Sequence, residues 1–175
     1  LMKAICVIGR AGYLVGQEVV IVGTDLTKAF HQFALSTLQW WAAGQMMADP
    51  SEIADEAYER ELVIILEKCM SMGTSVSSSY CQRALTELCL EVERLFGAAV
   101  AWRVAEWEAE CPAFSEHMAA RRALSAQTGF DETLLAWCRS YSDDPIGVTL
   151  ESLMPDLLLV LGGELRAAKL EQGSL

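Results

Sequence analysis

Residues 95–102, "LFGAAVAW", run for eight positions with no charge and no hydrogen-bonding tip except the indole of Trp102. They lie inside the longest helical pattern of the chain, residues 80–110, which Ser79 and Gln82 can open as a capping box and Pro112 stops. The first turns of that pattern are amphipathic, with Glu87, Glu91 and Arg94 on one face and Leu85, Leu88, Val92 and Leu95 near the other. Polarity then vanishes for about two turns. A helix that is apolar all round has to be surrounded, so the pattern predicts a central helix wrapped by other elements, with Trp102 anchored in the core.

The flanking segments read as helices of ordinary amphipathic type. Thr24 and Asp25 can cap a helix through "LTKAFHQFALSTLQWW" that ends near Gly44. "DPSE" at 49–52 supplies a cap, a first-turn proline and a capping-box glutamate for a helix through "IADEAYERELVIILEKCM", closed by Gly73. Shorter helices are expected at 113–127, ended by Gly129, at 132–141, capped by Asp131, and within 149–171. Only residues 4–22 could hold strands. The expected fold is all-α, a bundle of six to eight helices around a central apolar helix at about 80–110. Residues 1–24 form an N-terminal appendage and 25–175 a single helical domain.

A chain of 175 residues can bury roughly 70% of its unfolded surface in one core without staples. With 24 acidic and 13 basic residues its net charge is -11, which argues against nucleic acid as a partner. The six cysteines, Cys6, Cys69, Cys81, Cys89, Cys111 and Cys138, form no C-x-x-C pair and read as small core residues in a reducing compartment. His31 and His117 have no companion at metal-ligand spacing, so no metal is expected. Arg10, Gln17 and Glu18 interrupt the apolar run at 4–22, and Arg10 splits any signal-peptide core. The expected setting is intracellular and cytoplasmic. Membrane association, at an organelle surface, is expected only if the natural chain carries a C-terminal anchor.

Three motifs invite chemistry. Gly9, Gly12 and Gly16 in "CVIGRAGYLVG" suggest a dinucleotide-binding turn, but Asp25 follows Gly16 by only nine residues and no further strand-helix unit appears, so no cofactor is expected. Glu52, Asp55, Glu56 and Glu59, faced by Glu87 and Glu91, could hold Mg²⁺ in a helical nucleotide pyrophosphohydrolase. Arg60 and Lys68 interleave with them as on a solvated helix face, and this enzyme is the alternative reading. "WWAAGQMM" reads as core more readily than as a partner patch. No nucleophile motif stands out, and no catalytic residue is assigned.

The charge-free stretch resembles the first homology motif of the B-cell lymphoma two (Bcl) family of apoptosis regulators, Leu-Phe-x-x-x-Val-x-Trp-Gly-Arg, through Leu95, Phe96, Val100 and Trp102. "LLAWCRSYSDD" is similar to the family's following helix through Ala136, Trp137 and Tyr141, "ADE" at 54–56 to its third motif, and "KAFHQFALSTLQWW" to its first helix. Departures are Arg103, one residue earlier than the family's arginine and so about 100° around the helix; Pro50 where the third motif has leucine; and Gly162 and Gly163 too late for the second motif. The resemblance implies a non-catalytic regulator, of viral origin or otherwise divergent, whose apolar groove binds amphipathic death-motif helices of partner proteins. Carried onto this chain, the groove falls to Leu62, Ile65, Leu66, Leu95, Phe96 and Ala101, with Arg103 as the cation for the ligand's aspartate. Restraint of cell death is the implied direction, and a homodimer is compatible with it. An unclassified helical adaptor or immunity protein is the remaining alternative.

Overall fold

The computed structural model describes residues 2–26, 32, 44–48, 62–66, 77–141 and 144–171. The chain divides into two compact units, one of residues 1–27 with 82–175 and one of residues 28–81.

In the smaller unit, strands β2 (Gly44–Ala48) and β3 (Leu62–Leu66) pair antiparallel, with Gly44 opposite Leu66 and Ala48 opposite Leu62. The helix expected through 53–70 therefore does not hold across "LVIIL", where Val63, Ile64 and Ile65 stand in succession. Such a β-branched run loses side-chain freedom in a helix and suits a pleated ladder.

The larger unit is mixed α/β, which corrects the all-α bundle. Helix α1 (Met2–Val15) leads into strand β1 (Val19–Gly23); the long helix α2 (Ser77–Glu110), which belongs to this unit from Gln82 on, and helix α3 (Pro112–Thr128) precede strands β4 (Ala136–Tyr141) and β5 (Asp144–Leu150). A single 3-10 turn (Glu151–Leu153) then opens helix α4 (Met154–Ala167). The strands form an antiparallel sheet in the order β1-β5-β4, with Ile21 opposite Val148 and Trp137 opposite Val148 on the other side. Among the described residues the bundle of six to eight helices is thus replaced by four helices and this sheet.

The segment 132–141, expected as a helix, shows why the sheet was missed. Along β4 the inward positions are the small residues Ala136, Cys138 and Ser140, all buried, while the larger Trp137 and Arg139 are only half-buried. The period of two is present, but hydropathy does not follow it, because the fully buried positions carry small side chains while the bulkiest, Trp137, is only half-buried. Asp131 caps no helix; its carboxylate accepts from the backbone N–H and hydroxyl of Thr133 at 2.9 and 2.6 Å, closing a local turn.

The central strand β5 is buried over most of its length, so both of its faces need cover. Leu150 lies against α1 at Gly12, whereas Gly147 lies against Leu157 of α4. Positions three apart on a strand point to opposite faces, so α1 and α4 pack on opposite sides of the sheet. A methyl group on Gly12 would come within 2.6 Å of both the Gln17 carbonyl oxygen and Leu150, and Gly16 turns the chain at φ 68°. The glycines of "CVIGRAGYLVG" therefore serve close packing and a turn. Helix α4 buries Leu157, Leu161 and Leu165 at four-residue spacing, each worth roughly 2 kcal/mol in removed apolar surface. Helix α3 starts at Pro112 and stops at Gly129, as the sequence predicts. Among the described residues no helix is long and apolar enough to cross a membrane.

Candidate functional site

The two sides of α2 organise the site. Leu85, Cys89, Val92, Phe96 and Val100 recur every three or four residues and are buried, with Trp107 continuing the stripe and meeting Phe114 of α3 edge-on at 5.8 Å between ring centroids. The opposite side carries Ala98, Ala99, Ala101 and Trp102, all exposed. This corrects the expectation that residues 95–102 are surrounded and that Trp102 anchors the core: Trp102 is 61% exposed, and its ring is covered by the Arg103 guanidinium at 4.5 Å. Alanine is the strongest helix former and loses little by facing water. The absence of charge marked helix propensity and small size rather than burial.

Beside this small-residue side runs a cleft of about 420 Å³. Gly97, Ala98, Ala101, Val104 and Ala105 line it from α2, Met118 and Arg122 from α3, and Leu134 and Leu135 from the segment ahead of β4. Small side chains let a second backbone approach closely, because interaxial distance follows side-chain size at the contact. The arginines along its border are paired: Arg122 reaches the Glu108 carboxylate at 2.6 Å, and Arg94, one turn before Ala98, grips Glu91 through two hydrogen bonds. That hydrogen bonding from Arg94 holds the Glu91 carboxyl below its usual range.

Of the residues assigned to a groove, Ala101 lines this cleft. Leu95 is half-buried outside its lining, and Phe96 is fully buried in the core stripe. Arg103 pairs with Glu106 at 2.8 Å on α2 itself and does not border the cleft. Leu62, Ile65 and Leu66 belong to β3 in the other unit, on a strand. The cations bordering the cleft, Arg94 and Arg122, were not singled out from the sequence. The signal for Arg94 was present, since Arg94, Ala98, Ala101, Ala105 and Glu108 follow helical spacing along one side. Two resemblance segments also change character: Ala136, Trp137 and Tyr141 lie on β4, and "ADE" at 54–56 lies outside the described residues. So do Glu52, Asp55, Glu56 and Glu59 of the hydrolase reading, while Glu87 and Glu91 lie on α2.

A second group of residues closes the free edge of β4. Backbone groups of alternate residues on an edge strand point outward and need partners. The Cys138 N–H donates to the Glu93 carboxylate at 2.7 Å, and the Ser140 carbonyl and hydroxyl accept from the Gln82 side-chain amide at 2.9 Å. Arg139 donates to the same Glu93 oxygen at 2.6 Å and to the Cys138 carbonyl. Burial raises the Glu93 carboxyl above its usual range, outweighing the hydrogen bond from Cys138 and the nearby Arg139 charge. Cys89, one turn before Glu93 on α2, and Cys138 are both buried; interaction with Cys138 lowers the Cys89 thiol, while interaction with Cys89 together with burial raises Cys138. A cavity of about 220 Å³ adjoins Glu93, Trp137 and Arg139, walled by α1 and by the Arg121–Glu132 ion pair at 2.7 Å.

Among the described residues no group of three or more His, Cys, Asp or Glu side chains is arranged to hold a metal ion. The sequence matches no model of a known protein family, and no curated protein matches it.

Proposed function

We propose that this chain is a non-catalytic binding module that takes an amphipathic helix of a partner protein into the cleft between α2, α3 and the segment ahead of β4. The observation that carries the reading is the side of α2 built from Gly97, Ala98, Ala101, Val104 and Ala105, which lines an open cleft instead of the core. Helix-in-groove recognition needs such an apolar floor with room for anchors spaced along one face of the ligand. The arginines bordering the cleft support binding over chemistry, because both are engaged with glutamates. The net charge of -11 favours a ligand whose polar face is cationic, through faster encounter and complementary potential. The proposed setting is intracellular, in keeping with six scattered cysteines and no C-x-x-C pair. A role in cell death is not part of the proposal: it came with the resemblance, and one of the helices that the resemblance needs is a strand here.

The test is a titration of labelled helical peptides, each with leucine anchors on one face, against the full chain. A lysine-rich peptide should bind at micromolar concentration, and Ala101→Glu should weaken it at least tenfold. No binding, equal binding of a glutamate-rich peptide with the same anchors, or indifference to Ala101→Glu contradicts the proposal.

A further inference from the structure

Helix binding leaves unused the cavity of about 220 Å³ beside Glu93, whose walls combine an apolar side with a charged one. Ala4, Val7 and Ile8 of α1, with Leu134 and Ala136, supply the apolar side. The charged side sets three carboxylates, Glu93, Asp131 and Glu132, against two guanidiniums, Arg121 and Arg139. Both arginines are engaged, Arg121 with Glu132 at 2.7 Å and Arg139 with Glu93 at 2.6 Å. Glu93 is the group left incomplete. Its side chain is only 9% exposed, yet both of its hydrogen bonds, from the Cys138 N–H and from Arg139, fall on Oε1. Among the described residues its Oε2 receives no donor. An ionised carboxylate accepts on both oxygens, and a buried acceptor without a partner is costly.

We propose that this cavity binds a small primary amine in its ammonium form, which donates to Oε2 of Glu93 while its apolar body lies against α1. The volume is below that of a pocket for a drug-sized molecule, so the body is a short chain. An anion would meet three carboxylates with both guanidiniums already taken. A calcium or magnesium ion needs about six oxygen ligands, and among the described residues no group of acidic side chains is arranged to supply them. An ammonium needs one buried carboxylate, and its other donors can stay hydrated on the side of Asp131, which is exposed. Burial raises the Glu93 carboxyl in spite of Arg139, so the charge of this group is under-compensated and a second cation offsets the deficit. Trp137, whose ring lies 5.4 Å from the Arg139 guanidinium, forms part of the wall and reports on occupancy.

The experiment adds n-pentylammonium to the full chain and follows the Trp137 indole N–H and the backbone amides of Val7, Glu93 and Cys138 by NMR. Pentan-1-ol and pentanoate serve as comparison ligands of similar size that lack the charge or reverse it. Asp131 and Leu134 also border the helix-binding cleft and are left out of the readout. Expected are saturable shifts at the four reporters with half-saturation at about a millimolar, a modest affinity for so small a ligand, and binding at least tenfold weaker for both comparison ligands. Glu93→Gln keeps an acceptor for the Cys138 N–H and should weaken pentylammonium at least tenfold. Val7→Phe, which fills the cavity from α1 and leaves the carboxylate in place, should do the same. Equal binding of pentan-1-ol or pentanoate, or shifts that do not saturate, overturns the proposal on the wild-type chain alone, whether or not the variants fold. Shifts confined to Gly97, Ala98 and Ala101 in the cleft overturn it as well.

Discussion

One helix carries two surfaces of opposite kind. Along the core side of α2, Leu85, Val92, Phe96 and Val100 are buried at 0, 0, 0 and 2% exposure, whereas on the cleft side Ala98, Ala101 and Ala105 face solvent. Neither side carries much charge between residues 95 and 102. What separates them is size and spacing: large residues recur at helical intervals on the side that packs, and glycine or alanine occupies the side that borders the cleft. Low polarity by itself does not report burial, because alanine in a helix is nearly neutral toward water.

If that division holds, substitutions on the two sides should fail in different ways. The largest loss of stability is expected for Phe96→Ala, about 3–5 kcal/mol by urea unfolding, from lost transfer energy and the cavity left behind. A loss under about 1 kcal/mol would mean that Phe96 is not core. Next comes Glu93→Ala, expected to cost about 1–3 kcal/mol because the buried Cys138 N–H loses its acceptor and Arg139 its partner. Glu93→Gln keeps an acceptor and removes the charge. Because burial raises the folded-state pKa of Glu93, the folded chain retains a proton that the unfolded chain has released. The contribution of this group therefore falls as pH rises from about 4.5 and levels off above the folded value. Melting curves should show wild type gaining on Glu93→Gln as pH is lowered through that window, and a gap independent of pH would contradict the assignment.

On the cleft side the expected stability effects are small. Ala101→Glu should change unfolding free energy by no more than about 0.5 kcal/mol, as for surface positions generally, while weakening peptide binding at least tenfold, which is about 1.4 kcal/mol. On the exposed side beside the cleft, Trp102→Ala should likewise stay within about 1 kcal/mol, since the ring is 61% exposed and is covered on one face by Arg103. A loss of several kcal/mol there would restore Trp102 to the core.

The helices were legible where amphipathic spacing and stop signals agreed. Pro112 and Gly129 bound α3, and Leu157, Leu161 and Leu165 mark the buried stripe of α4. The sheet was not legible, because β4 conceals its period of two behind small inward residues, and "LVIIL" at 62–66 sits beside acids that look like a helical face. The core position of Phe96 was half visible, since its spacing from Val92 and Val100 is regular, yet the apolar neighbours beside it masked which side faces inward. Glu93 could not be found from sequence, because its partners lie 45 and 46 residues further along the chain, at Cys138 and Arg139. The cleft was visible only in Ala101. Its other walls come from Met118 and Leu134, which no local pattern brings beside α2.

The division of α2 is tested most directly by following backbone amide resonances while a lysine-rich amphipathic helical peptide is added to the full chain. The account predicts saturable shifts at Gly97, Ala98, Ala101, Val104 and Ala105, with Leu85, Cys89, Val92 and Phe96 unmoved. Shifts spread evenly around the helix, or confined to its core side, would contradict it.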